Sequence, residues 1–382
     1  MSRLNVGNLF NENEDGAPVV SGISTFSSPN YFVPPSGTTA QRPQNPGEGM
    51  IRFNTDSGHL EYYTGTHWAD VIVKESATNS GRALFGGGYV QSGTPATNAI
   101  EYVSIQTTGN TVDFGDLTSA RSDGPSAFSS TTRGIWAGGG GTNTMEFITF
   151  ASTGDATNFG DLLELSNNGG SVSDSTRGVI ATGGIASSPG RRDHINFVTM
   201  ASTGNATDFG NLSDGISQAK GMNNRTRGVF HLGGIAPSNG NNTLEYITIQ
   251  STGNSVDFGD LAQGGVSGAR THTGTFSNSI RGVIYGGTAP GPAYENNVIQ
   301  YITIATTGNS LDFGDLVTYR NRSSGACNAT RGLFGGGNPG SARNNIEYVT
   351  ISTLGNSQDF GDFTVTLHSY FDGGCSNAHG GL

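Results

Sequence analysis

Six arginines and six acids or amides recur at matched places along the chain. Arg82, Arg133, Arg177, Arg227, Arg281 and Arg331 each open a short apolar run, and they are six of only 19 basic residues. Asp113, Asn158, Asp208, Asp257, Asp312 and Asp359 each stand directly before Phe-Gly. A guanidinium and a carboxylate meeting at a corner would form a charge-assisted hydrogen bond. A ring of arginines could instead hold an anionic ligand. Repetition in every copy favours the first use, because a device of the fold recurs naturally whereas a catalytic site does not.

Other chemistry has less support. The spacing of Asn110, Asp113 and Asp116 suggests calcium, but calcium loops place oxygens at alternate positions, and a spacing of three suits turns. Asp-Phe-Gly also occurs in protein kinases, but the motifs that accompany it there are absent. The seven histidines, His59, His67, His194, His231, His272, His368 and His379, include no pair at metal-ligand spacing. Cys327 and Cys375 are too few for a disulfide scaffold and are expected as small, buried, reduced thiols. No catalytic residue, metal or cofactor is assigned, and the expectation is a protein that is not an enzyme.

These residues sit in an internal repeat, which governs the fold. The phenylalanines Phe114, Phe159, Phe209, Phe258, Phe313 and Phe360 mark it, every 45 to 55 residues. Before each comes a Gly-Asn or Gly-Asp pair, from Gly109-Asn110 to Gly355-Asn356. Upstream is an alternating segment: IEYVSI at Ile100, MEFITF at Met145, INFVTM at Ile195, LEYITI at Leu244, IQYITI at Ile299 and IEYVTI at Ile346. Period-two alternation rich in Ile, Val, Tyr and Thr predicts a half-buried strand, with Gly-Asn closing a hairpin after it. Still further upstream stand the Arg-Gly strand ending in Gly-Gly and a segment of small residues, such as SAFSSTT at Ser126 or GACNAT at Gly325. Each unit is thus four short strands.

The order of a small-residue strand, a Gly-Gly strand, an aromatic strand, a turn and an aromatic corner resembles the kelch repeat. That resemblance implies one four-stranded propeller blade per copy. Phe stands where kelch repeats usually have Trp. The expected fold is all-β: a six-bladed kelch-like β-propeller over residues 80–382. The first copy, at Arg82, lacks a small-residue strand. Aligned on cysteine, Cys375–Gly380 matches Cys327–Gly332, so the C-terminal tail is expected to supply that strand and close the ring without an exposed edge.

The first 80 residues carry no copy. Residues 1–39 are polar and aperiodic and read as an extended arm. Residues 40–79, with Ile51, Phe53, Leu60, Tyr62 and Trp68 around turns at Asp56–Gly58 and Thr64-Gly65, predict a small three-stranded meander with little core. Gln41-Arg42-Pro43, Gly49–Asn54 and Tyr63–Trp68 resemble a module of bacteriophage tail fibres and related virion proteins. The resemblance implies a virion location, contact with other virion proteins through residues 1–79, and often a homotrimer; it implies no chemistry.

Composition narrows the partners. Only 13% of residues are charged and 61 of 382 are glycine, which disfavours helices. Net charge is −11 with scattered basic residues, so no stripe could track nucleic acid. No apolar run is long enough for a membrane span, and nothing in Met1–Gly16 marks the chain for secretion. The segments after Gly-Gly vary most: 89–98, 185–193, 235–242, 288–297 and 338–345. On one face of a ring they would suit a host-surface glycan or protein. The first expectation is therefore a tail-fibre-like virion protein for host attachment. A head, neck or tail decoration protein is the alternative, and a propeller enzyme the third.

Overall fold

In a computed structural model, residues 34–71, 81–89, 96–184, 190–234, 240–262, 269–289, 296–337, 343–367 and 373–382 are described. The chain divides into two compact units, Met1–Glu75 and Ser76–Leu382. Among the described residues every regular element is a strand, apart from one 3₁₀ turn at Thr39–Gln41.

The first unit holds a four-stranded sheet. Ile51–Asn54, His59–Tyr63 and Trp68–Val71 form the expected antiparallel meander. A fourth strand, Ser36–Gly37, pairs in parallel with Phe53 and Asn54. The sheet therefore begins inside the stretch expected to be an arm. Its sidedness is also unexpected. Ile51, Phe53 and Tyr62 are exposed, while Arg52, Asn54 and Glu61 are buried beneath the segment around Thr38–Arg42. The expected arm over residues 1–33 lies outside the described residues.

The second unit contains six four-stranded antiparallel sheets among the described residues. The second sheet shows the plan: Ser126–Ser129, Arg133–Ala137, Thr144–Thr149 and Thr157–Asp161, in sequence order across the sheet. The third to sixth sheets begin at Gly170–Ser173, Ala219–Asn223, Gly274–Ser277 and Ser324–Cys327. The first sheet is Arg82–Gly86, Ala99–Ser104 and Val112–Asp116, completed by Gly374–Ser376 from the C-terminus.

That last pairing corrects one expectation. Cys375 lies opposite Leu84 and Ser376 opposite Ala83, whereas in the sixth sheet Cys327 lies opposite Gly332. Ser376, not Cys375, therefore occupies the place of Cys327. The tail strand is the one expected, but the cysteine alignment is one residue out of register, which exchanges the two faces.

Packing runs from sheet to sheet. Each of six buried apolar clusters joins two neighbouring sheets. One holds Leu84, Phe114, Trp136 and Phe150 of the first and second sheets. Another holds Phe85, Val103, Leu333 and Phe360 of the first and the sixth. The first strands are likewise neighbours in sequence around the unit, and Gly374–Ser376 lies beside both Ser324–Cys327 and Ser126–Ser129. The small residues of these strands permit that crowding: a Cβ on Gly325 would stand 2.2 Å from the Thr275 carbonyl oxygen.

Candidate functional site

The repeated residues build one unit of structure six times. Each Arg-Gly arginine lays its guanidinium over an aromatic ring of its own third strand. The partners are Tyr102, Phe147, Phe197, Tyr246, Tyr301 and Tyr348, at 4.3 to 4.7 Å from the ring centroid. The same ring meets the Asp-Phe-Gly phenylalanine edge to face, as Tyr102 does Phe114 at 5.7 Å and Phe147 does Phe159 at 5.9 Å. Phe209, Phe258, Phe313 and Phe360 are buried in the same way.

Each arginine then reaches the next sheet. Its Nη1 donates to a backbone carbonyl there: Arg82 to Phe150 at 2.6 Å, Arg133 to Met200 at 2.9 Å, Arg177 to Ile249 at 3.1 Å, Arg227 to Ile304 at 3.0 Å and Arg281 to Ile351 at 2.7 Å. Arg331 in the sixth sheet reaches Ile105 in the first at 3.0 Å. The expected pairing of arginine with the corner acid does not form. Asp113, Asn158, Asp208, Asp257, Asp312 and Asp359 are all exposed. The strand presents that position to solvent, because the neighbouring phenylalanine takes the buried face.

The Gly-Asn pair does not make a tight hairpin turn either. It clasps the preceding sheet at its corner. Gly154 N–H donates to Phe114 O at 2.7 Å, and Asp116 N–H donates to Asp155 Oδ1 at 3.0 Å. The same pair of bonds recurs at every junction, ending with Gly109 to Phe360 and Asp362 to Asn110. The glycine after each corner phenylalanine makes this approach possible. Gly259 has φ +139, and a Cβ there would stand 2.6 Å from Gly308 O.

A third device escaped the sequence reading. The second residue of each alternating six-residue segment is buried: Glu101, Glu146, Asn196, Glu245, Gln300 and Glu347. Each takes a polar group four residues beyond the corner of the preceding sheet. Glu146 accepts from Thr118 N–H at 2.7 Å, Glu347 from Val317 N–H at 3.2 Å and Glu101 from Thr364 N–H at 3.2 Å. Gln300 reverses the sense and donates to Ala262 O at 2.7 Å. Buried Arg121 and Arg320 neutralise Glu146 and Glu347. A buried carboxylate without such partners would be costly.

Along the first strands, residues at one level form a closed hydrogen-bonded circle. Ser173 Oγ donates to Ser129 O at 2.9 Å, Asn223 Nδ2 to Ser173 O at 2.6 Å and Ser277 Oγ to Asn223 O at 2.9 Å. Cys327 Sγ donates to Ser277 O at 3.0 Å, Ser376 Oγ to Cys327 O, and Ser129 Oγ to Ser376 O at 2.7 Å. The C-terminal residues then cross this circle. His379 Nε2 lies 2.9 Å from Ser129 O, and Gly380 N–H donates to Ser277 O at 2.8 Å.

The titratable groups here are held in structural states. Burial pushes the Cys327 thiol up to about 12 and raises Cys375 as well, so neither is a ready nucleophile. Burial lowers His231 to about 4 and His272 to about 3, and it lowers His379 too. The His231 ring nitrogens contact Thr273 Oγ1 at 2.9 Å and Asn241 O at 3.0 Å. Among the described residues no group of three or more His, Cys, Asp or Glu is placed to hold a metal ion. No described helix is long and apolar enough to cross a membrane. The variable segments after Gly-Gly fall largely outside the described residues.

In the first unit, Arg42 and Arg52 converge on buried Glu61. Arg42 Nε and Nη2 donate to it at 3.2 and 2.5 Å, and Arg52 Nε lies 3.6 Å away. The Arg42 hydrogen bonds hold the Glu61 carboxyl below its usual range against the opposing effect of burial. No protein-family model matches the chain, and no curated protein matches its sequence.

Proposed function

We propose that the chain is a bacteriophage virion protein, tail-fibre-like, in which a six-bladed kelch-like propeller is displayed for attachment to a host-surface glycan or protein. In this reading residues 1–79 hold the chain to other virion proteins and to two further copies of itself, and residues 80–382 form the displayed head. Support for the propeller comes from the six sheets, the six clusters between them and the circle of side-chain bonds on the first strands. Those features all include a junction between the sixth sheet and the first.

The observation that carries the docking role is the sidedness of the first unit's sheet. The sheet of the first unit leaves Ile51, Phe53 and Tyr62 exposed at 54%, 37% and 41%, a face that suits contact with another protein. The second unit buries its corner phenylalanines and the aliphatic residues of its strands between its own sheets, although Val112, Val256 and Leu311 stay exposed beside the corners. Its thiols are protonated and its buried imidazoles neutral and hydrogen-bonded, which favours a binding role over catalysis.

Two measurements test the reading. Light scattering of the full chain and of residues 80–382 should give a trimer and a monomer. A labelled 80–382 fragment should bind host cells or an isolated surface glycan. A trimeric fragment contradicts the assembly. Absence of cell and glycan binding contradicts the attachment role and leaves a decoration protein.

A further inference from the structure

We propose that the groove between the first and second sheets, on the arginine side, binds an acidic sugar unit. The inference rests on the attachment reading for its biological use, and its chemistry is argued from the groove itself. The groove has a volume of about 490 Å³, within the range of small-ligand sites.

The six junctions on this side share one plan, and among the described residues this one holds a groove. Two positions govern the opening: the residue before the arginine in one sheet, and the residue just past the aromatic strand's loop start in the next. At the junction of the third and fourth sheets, Gln250 Nε2 donates to Thr176 Oγ1 at 3.0 Å and spans the cleft. At the junction of the sixth and first, Gln106 Nε2 donates to Thr330 Oγ1 at 3.1 Å. Between the first and second sheets these positions are Gly81 and Ala151. Neither can bridge. The remaining three junctions have Ala201, Ala305 or Ser352 at the second position but keep Thr132, Thr226 or Ile280 at the first, so Gly81 is what sets this junction apart.

Gly81 is itself a product of how the ring is made. A Cβ there would stand 2.7 Å from Ala378 Cβ. The C-terminal tail passes at this place, and Asn377 Oδ1 accepts the Arg82 N–H at 2.8 Å. The open groove thus arises where the two ends of the second unit meet.

The lining selects the ligand. Arg82 stacks on Tyr102 and uses only Nη1, on Phe150 O, among the described residues. Its Nε and Nη2 remain to receive a carboxylate as a fork. Thr132 and Thr149 supply hydroxyls and Asn377 an amide, groups that pair with sugar hydroxyls. No acidic residue lines the groove, so a carboxylate meets no repulsion there. A ring bearing several hydroxyls and one carboxylate, as in a uronic acid, satisfies these groups together.

The test uses the full chain and leaves the arginine staple intact. Sodium glucuronate, methyl glucoside and sodium sulfate are titrated at low salt, followed by calorimetry. The expected result is measurable glucuronate binding, with methyl glucoside and sulfate weaker on the order of tenfold or more. Ala151→Gln, which imports the side chain that spans other junctions, should abolish that binding without lowering the melting temperature. Ala305→Gln, at the equivalent position between the fourth and fifth sheets, should leave it unchanged. Glucuronate binding that survives Ala151→Gln, or no binding by the native chain, overturns the site. Equal binding of sulfate overturns the sugar. A chain that binds host cells equally well with Ala151→Gln loses the site and keeps the attachment role. Glucuronate bound in the groove of a chain that binds no host surface does the reverse.

Discussion

Arg331 donates from Nη1 to the carbonyl oxygen of Ile105 across 226 residues of sequence. The bond is the sixth member of a series whose other five join sheets adjacent in the chain. Its geometry matches theirs, with the guanidinium 4.3 Å from the Tyr348 centroid. The junction between the ends of the repeat array is thus made like any other. The same holds for the corner clasp of Gly109 on Phe360 and for Glu101 on Thr364.

The arginine stacks should contribute measurably to stability. Arg281→Ala removes a cation–π contact and a charge-assisted hydrogen bond, and should cost about 1–3 kcal/mol by urea denaturation. Arg281→Lys, which lacks the planar group, should lose a large part of that. Asp257→Ala, on the exposed corner, should stay within about 0.5 kcal/mol of the native chain. Equal effects of Arg281→Ala and Asp257→Ala would refute the assignment of the arginine as the staple.

Two glycines of one repeat should respond unequally. Gly253 and Gly259 have φ of +153 and +139, so alanine strains the backbone at either by about 1–3 kcal/mol. Only at Gly259 would the new Cβ also meet a carbonyl, Gly308 O at 2.6 Å; nothing lies within 4 Å at Gly253. Gly259→Ala should therefore melt lower than Gly253→Ala. The reverse order would exclude the clasp.

Stability should fall on mild acidification. His231 is lowered to about 4 and His272 to about 3 by burial, against about 6.5 unfolded. The unfolded chain then binds more protons, so stability is complete above pH 6.5. It is lost as pH falls towards 4 and 3, by up to about 1.4 kcal/mol per unit for each histidine. Chemical denaturation from pH 7.5 to 4.5 checks the slope, and His231→Gln should make it shallower. A slope unchanged in that variant would show that His231 is not the source.

The repeat was legible because its strands, turns and arginines recur in one order, and that order gave the four-stranded unit. What remained hidden has local causes. Glu101 was read as a solvent-facing position because it alternates with Ile100. Ile100 faces the second sheet and Glu101 the sixth, so both faces of this strand are covered, and period-two alternation does not reveal a second covered face. The partner of each arginine was missed because it is a backbone carbonyl of the next repeat, which carries no mark in the side-chain sequence. The tail register went wrong because Cys375 and Cys327 invited alignment, while pairing with Leu84 and Gly332 depends on backbone position. In the first unit, Ile51, Phe53 and Tyr62 marked the meander, but their spacing did not show which face is covered. Their face is exposed because Arg42, Arg52 and Glu61 hold the other.

The proposed closure of the six sheets into a ring rests most directly on the C-terminal strand. The decisive measurement compares thermal melting of the full chain with that of a chain ending at residue 372. Removing Gly373–Leu382 deletes the strand beside Leu84, two members of the circle of bonds and the cover over the first-sheet cluster. The full chain should show one cooperative transition for the second unit. The shortened chain should aggregate, or melt lower by on the order of 10 °C. A soluble shortened chain with unchanged melting would contradict the closure of the ring.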